Sequence, residues 1–362
     1  MQRRTTLKNQ TPLRQFSSIP VIDISGLYST VSAERYAVAA DIRNAARDVG
    51  FFYISGHQIP DDATDDLIAA AKQYFAQPYE QKMQNYIGLS QNHSGYVPEG
   101  EEVFYSPDQN SGSDRPRDQK EAYDINYDLS DLSYQRPMLG PTLWPDNDDF
   151  KAKVSRYYSH GTELAKVLFR GFALALGLEE TFFDGKLIRP PNQLRLIHYP
   201  YDPEAEDAQG IGAHTDYECF TLLLPTADGL EVLNGEGRWI DAPVIPGCFV
   251  VNIGDMMELL SNGRFRATTH RVRKVREERY SFPLFCTCDY DTVIEPVLGA
   301  IEPAIGAIES TDKHYAPVKC GDHLYAQTID TFAYLQKRLN SGKIERPETH
   351  LDIGFGWEEQ AL

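Results

Sequence analysis

Hydrophobic positions along the 362-residue chain change their rhythm near residue 193. Before that point the spacing is mostly helical. In 33–49, Tyr36, Ala39, Ala40, Ile42, Ala46 and Val49 recur every three or four residues, which predicts a helix that Gly50 ends. A short strand, Ile19 to Ile24, precedes it. Phe51 to Ser55 is a β-rich run closed by Gly56 and Pro60. A second helix is expected over 61–76, starting at Asp61 and Asp62, and the longest one over 149–178. Residues 88–130 read as irregular, rich in Gly, Asn, Ser, Asp and Pro. A segment of that length in a compact enzyme is usually functional or disordered. From 193 onward short β-rich runs follow one another at 193–199, 219–225, 229–233, 247–253, 268–275 and 279–288. That spacing suits an antiparallel sandwich or barrel. A last helix is expected over 324–340. The plan is a mainly β fold with flanking helices, divided into a tail (1–18), an N-terminal helical and irregular region (19–130), a core (131–345) and a C-terminal tail (346–362). There is no internal repeat, no P-loop and no G-x-G-x-x-G.

Composition narrows the function classes. Acidic residues number 53 against 35 basic ones, a net charge of −18. Such a surface repels a phosphate backbone, so nucleic acid is not expected as a partner. An anionic ligand needs a locally positive pocket. The five cysteines, Cys219, Cys248, Cys286, Cys288 and Cys320, are odd in number and spread out, a poor disulfide framework. Cys286 and Cys288 lie in an apolar run and read as buried, reduced thiols of a cytoplasmic protein, because no second C-x-C completes a zinc site. No apolar run has the length of a membrane span, and Met1 to Ser18 lacks the apolar stretch of a signal peptide. The expected state is a monomer or homodimer acting on a small molecule.

His214-Thr-Asp216 is the sharpest local signal. In extended chain, residues two apart share a face, so one imidazole and one carboxylate reach a common point. The segment follows Gly210 to Gly212, read as a turn at the mouth of the sheet. His270 sits near the start of the β run TTHRVRKV. Two histidines and one carboxylate make the facial triad of non-haem iron(II) oxygenases, with three positions open for co-substrate and O2. H-x-D alone is common, and a histidine is more often structural than a ligand. Downstream, Arg279 and Ser281 share a strand face by the same spacing. A guanidinium fork and a hydroxyl match a carboxylate. The alternative is an exposed arginine paired with Glu277 or Glu278. Tyr199 offers a phenol to the same carboxylate, whereas His198 alternates to the opposite face.

Together, His214-x-Asp216, His270 and Arg279-x-Ser281 resemble the pattern of 2-oxoglutarate/iron(II)-dependent dioxygenases, in the branch that includes isopenicillin N synthase. Ile19-Pro-Val-Ile-Asp-Ile24 and Gly50-Phe-Phe-Tyr-Ile-Ser-Gly-His57 are similar to that branch's N-terminal signature. Ser94-Gly-Tyr96 with Lys120-Glu121 resembles its bacterial members, and Tyr290 to Pro296 resembles the segment after the arginine strand. The resemblance covers roughly residues 19–340. It implies a double-stranded β-helix (a jelly-roll, cupin-like core), iron(II) on His214, Asp216 and His270, and 2-oxoglutarate with its far carboxylate on Arg279, Ser281 and Tyr199. It also implies that O2 turns 2-oxoglutarate into succinate and CO2 while a small substrate is hydroxylated, desaturated or cyclised. Isopenicillin N synthase uses O2 without 2-oxoglutarate and binds a substrate carboxylate with its arginine, a second reading. A jelly-roll binding protein without catalysis is a third.

Tyr217, Phe220, Leu222 and Phe285 are candidate pocket residues, with core packing as the alternative. Glu101, Glu102 and Phe104 are candidates for a cover over the pocket. His57, His93, His160, His314, His323 and His350 are expected in surface or turn roles.

Overall fold

The computed structural model describes residues 15–102, 120–129, 131, 133–200, 209–273, 277–297 and 315–349. Its first half runs β1 (Val21–Asp23), α1 (Ser32–Asp48), β2 (Phe51–Ser55), α2 (Asp61–Phe75), α3 (Tyr79–Lys82), β3 (Gly95–Val97), β4 (Glu121–Asn126) and α4 (Asp148–Ala175). The second half runs β5 (Gln193–Tyr199), β6 (Gln209–His214), β7 (Phe220–Pro225), β8 (Leu230–Leu233), β9 (Trp239–Asp241), β10 (Phe249–Ile253), α5 (Asp255–Leu260), β11 (His270–Arg273), β12 (Arg279–Cys286), β13 (Val293–Ile294), β14 (Val318–Lys319), α6 (Cys320–Thr331) and α7 (Ala333–Asn340).

Local chemistry explains the main boundaries. Helix α1 stops at Gly50, whose φ of 75° suits a residue without a side chain and whose N–H reaches Ala45 O at 2.9 Å. Helix α4 starts where the Asn147 side chain accepts the Phe150 N–H at 3.0 Å. The stretch expected to be irregular contains β3 and β4. The polar residues of β4 hide its period, yet it pairs with β5 from Glu121↔His198 to Asn126↔Gln193. The expected turn at Gly210 to Gly212 is strand β6 instead. A Cβ at Gly210 would stand 3.1 Å from Val272 O on the paired strand, so glycine is there for close approach. The single C-terminal helix is two, broken at Phe332. Glu101 takes the start of the second: its carbonyl accepts from Ala333 N at 2.9 Å and its carboxylate from Tyr334 N at 2.7 Å.

Two sheets form the core. One has eight strands in the order β1-β2-β10-β7-β12-β5-β4-β3, the other four in the order β6-β11-β8-β9. Helix α4 covers the outer face of the larger sheet. Phe169 and Phe172 meet the Phe220 ring at 4.9 and 5.1 Å. Gly161 lets the helix close on β12, because a Cβ there would lie 2.8 Å from Leu284. The inner face turns toward the smaller sheet, and a cavity lies between them, lined from both. This is a jelly-roll core with flanking helices. Among the described residues, no helix is long and apolar enough to cross a membrane.

Candidate metal and dicarboxylate site

Pairing of β6 with β11 sets His214 directly opposite His270. Their ring centroids are 4.3 Å apart, and each Nε2 lies 3.6 Å from Asp216 Oδ1. Two donors at right angles on a metal, with bonds of about 2.1 Å, stand about 3 Å apart, so three such atoms are spaced to surround one small cation. The remaining polar atoms are tied away from that point. His214 Nδ1 bonds Gly212 O at 2.7 Å and His270 Nδ1 bonds Thr268 O at 3.2 Å. A carbonyl only accepts, so each Nδ1 carries the proton and each Nε2 keeps its lone pair for a ligand. Asp216 Oδ2 accepts from Asn252 Nδ2 at 2.7 Å and from the Thr221 hydroxyl, which leaves Oδ1 for a metal. Phe51 meets the His270 ring edge-on at 5.1 Å. Burial and the neighbouring His270 push His214 down to about 4, so its imidazole is neutral at neutral pH. Burial opposes ionisation of Asp216, but His270, His214 and the two hydrogen bonds outweigh it and hold the carboxyl below its usual value. The donor set therefore fits a divalent iron.

Along β5 and β12, alternate residues face the cavity. On β5 these are Gln193, Arg195, Ile197 and Tyr199. On β12 they are Arg279, Ser281, Pro283 and Phe285. Tyr199 pairs with Arg279, and Gln193 with Phe285. Arg279 is fully buried. Its Nε donates to Ala227 O at 3.1 Å, while Nη1 and Nη2 find no acceptor among the described residues. The Tyr199 ring lies 4.8 Å from the guanidinium. Burial lowers the Arg279 pKa, with the Tyr199 phenol acting against it. A buried cation with two bare N–H₂ groups is costly unless an anion joins it. The exposed arginine paired with Glu277 or Glu278 is not what forms.

Of the four candidate pocket residues, Tyr217 and Phe285 line the cavity. Phe220 and Leu222 do not. Strand β7 turns both outward into the core beneath α4, and Thr221 and Leu223 face in. Two of the histidines expected in surface or turn roles are buried. His93 lines the cavity and bonds Tyr334 OH at 2.6 Å, and burial pushes it down to about 3. His323 is also buried, beside Thr349. His57 has the turn role expected, accepting from Ile59 N at 3.1 Å. Phe104, His314 and His350 lie outside the described residues. Glu102 lines the cavity wall, with its carboxylate on Lys120 at 2.6 Å and Arg195 at 2.6 Å. Arg195 also grips Asp124 at 2.7 and 2.8 Å. Burial works against the Glu102 charge, but Arg195 and Lys120 hold its carboxyl well below the usual range. Arg195 was legible: it sits in the run QLRLIHY two and four residues from other inward positions, as Arg279 does in its own strand.

Two imidazoles and a carboxylate meeting inside a jelly roll define the mononuclear non-haem iron oxygenase class. The comparisons place the chain within it. Residues 190–287 match the 2OG-Fe(II) oxygenase superfamily, and 19–147 match the N-terminal region described as that of a non-haem dioxygenase in morphine synthesis. The 2-oxoglutarate-Fe(II) type oxidoreductase hxnY of Emericella nidulans is 36% identical over 292 residues, 76% of this chain and 80% of that protein. A homoarginine-6-hydroxylase of Arabidopsis thaliana is 36% identical over 299 residues, 78% of this chain and 88% of that one. A full-length Neurospora crassa protein crystallised with alpha-KG and thymine shares the fold at a TM-score of 0.72 and 26% identity, covering 93% of this chain and 99% of that one. The chain belongs to the 2-oxoglutarate/iron(II) oxygenase superfamily. It is a 2-oxoglutarate-dependent dioxygenase that works with iron(II) and O2.

Proposed function

We propose that His214, Asp216 and His270 hold the iron, that Arg279 with Ser281 and Tyr199 holds the far carboxylate of 2-oxoglutarate, and that the enzyme oxidises a small organic substrate. When bound, iron(II) and 2-oxoglutarate would activate O2, the oxidant, whose four electrons come from oxidation of 2-oxoglutarate to succinate and CO2 and of a C–H bond of the substrate. The observation that carries the reading is the buried Arg279 guanidinium, whose Nη1 and Nη2 have no hydrogen-bond partner among the described residues, in the same cavity as three converging donor atoms. The protein's share is positioning. The hydrogen bonds from Asn252 and Thr221 aim one Asp216 oxygen, and the two carbonyls fix the histidine tautomers. The sheets wall the reacting centre from bulk water. A relative named for homoarginine hydroxylation and a neighbour holding thymine support a small nitrogen-bearing substrate. The branch that includes isopenicillin N synthase is read from Tyr290 to Pro296 and the N-terminal signature. Five free thiols, four of them buried, support a reducing cytoplasmic setting.

The test is succinate formation from 2-oxoglutarate with anaerobically measured iron binding. Asp216→Ala removes the one anionic ligand and is expected to abolish turnover and weaken iron binding. Arg279→Ala is expected to keep iron and raise the 2-oxoglutarate KM by about 100-fold, the worth of two charged hydrogen bonds. An unchanged KM sinks the anchor.

A further inference from the structure

Resting on that reading of the site, one end of the cavity receives the co-substrate and the other has no occupant assigned. Register orders the two ends. Arg279 pairs with Tyr199 at one end of the ladder between β5 and β12, and Phe285 pairs with Gln193 at the other. Six residues of extended strand separate Arg279 from Phe285, about 20 Å. A short diacid held by Arg279 does not reach that far. The far end is built around Gln193. Strand β4 continues the sheet there, and Asn126 pairs with Gln193, so both side chains share the inner face. Asn126 Nδ2 donates to His93 O at 2.9 Å, which brings His93 to the same end. His93 has a φ of 59°, a left-handed backbone uncommon outside glycine. Its ring centroid lies 4.4 Å from that of Phe332, and its Nδ1 lies 2.6 Å from Tyr334 OH, so the imidazole is held in place. Gln193, His93, Phe285 and Phe332 all line the cavity.

Gln193 is only 7% exposed, and its Nε2 has no hydrogen-bond partner among the described residues. Nη1 and Nη2 of Arg279 show the same at the other end. A buried donor without an acceptor costs about 1–3 kcal/mol. A ligand that brings an oxygen acceptor removes that cost. Lys120 and Arg195 also line the cavity, but they are ion-paired with Glu102 and Asp124 and offer no free cation to a carboxylate. We propose that Gln193 is the specificity-determining residue for a substrate that presents an uncharged carbonyl oxygen (an amide, lactam or urea), which accepts from Gln193 Nε2 at the end of the cavity walled by Phe285, His93 and Phe332. An analogue without the carbonyl leaves the donor unpaired, and the buried amide then discriminates against it.

The test uses the full chain loaded anaerobically with iron(II) and saturating 2-oxoglutarate. Loading is read from the visible iron–2-oxoglutarate absorption band, and binding is measured by calorimetry. Two sets of small probes share a skeleton within each set. Benzamide is compared with benzoate and benzylamine, and 2-piperidone with piperidine and tetrahydropyran. The wild type is expected to bind the carbonyl compound of at least one set about tenfold or more tighter than its counterparts. Gln193→Leu, close in size and without a donor, keeps the band and abolishes the preference. Gln193→Met does the same and stands in if the leucine variant does not fold. Equal binding or no binding within both wild-type sets overturns the proposal, as does tighter binding of benzoate or of an amine. A preference that survives in the variants overturns it too, and so does an equal weakening of every probe, the mark of a merely structural glutamine. A wild type that never forms the band overturns the cofactor reading and the proposal with it, whereas a band without the preference overturns the proposal alone.

Discussion

Asp216 shows how single atoms decide a metal site. A free carboxylate offers two equivalent oxygens, but here Asn252 and Thr221 occupy one and leave the other facing the two Nε2 atoms. Removing such an orienting partner typically costs 10- to 100-fold in metal affinity. Asn252→Ala is expected to weaken iron binding by roughly that factor while Asp216 stays in place. Equal dissociation constants, measured by anaerobic equilibrium dialysis, contradict the orienting role. Asn252 has no sequence signature of its own: it lies in the apolar run FVVNI and is recognised only because β10 packs beside β7. His214, Asp216 and Arg279 were legible because i, i+2 spacing in an extended chain is a physical rule that needs no tertiary knowledge.

Among the elements, that same rule carries the successes and the misses. Strand β5 spans the expected residues because Leu194, Leu196, Ile197 and Tyr199 make the run β-rich despite its polar positions, and α1 because Gly50 closes a clear helical period. Strand β6 was hidden by two glycines, and β4 by its polar residues. Of the two readings open for Phe220 and Leu222 on β7, pocket or core, core packing is the one that forms. Apolar Phe220 and Leu222 looked like pocket, but a jelly roll with a catalytic cavity turns polar Thr221 inward and sends the phenylalanine under a helix. Phe220 packs on Phe169 and Phe172, so Phe220→Ala is expected to cost about 3–5 kcal/mol of stability. Urea unfolding measures this. Iron and 2-oxoglutarate affinities of the folded variant should match the wild type. Unchanged stability with lost 2-oxoglutarate binding restores Phe220 to the pocket.

At the scale of the whole molecule, buried polar groups join separate parts of the chain. Arg195 on β5 holds Asp124 on β4 and Glu102, whose neighbour Glu101 starts α7. Arg195→Met strands the buried Asp124 carboxylate and leaves Glu102 with Lys120 alone, a loss of about 3–5 kcal/mol. The check is a urea midpoint shift of that size. No such coupling is legible in sequence, since the partners are 71 and 93 positions from Arg195. Acid sensitivity follows from buried histidines. His93 and His323 are pushed down to about 3 and about 4 by burial, while in the unfolded chain they titrate near 6.5. Between pH 6.5 and about 4 the unfolded chain therefore binds more protons. Their contribution to stability is complete above about pH 6.5 and is lost as pH falls through that window. The urea midpoint should drop between pH 7 and pH 5, and His93→Gln should shrink the drop. An undiminished drop excludes His93 as a source.

The most direct test of the assigned centre is a crystal soaked anaerobically with iron(II) and 2-oxoglutarate. The expected result is one metal bonded to Nε2 of His214, Nε2 of His270 and Oδ1 of Asp216, with a dicarboxylate whose far end meets the two bare nitrogens of Arg279. A metal bound elsewhere, or Arg279 left without the carboxylate, contradicts it.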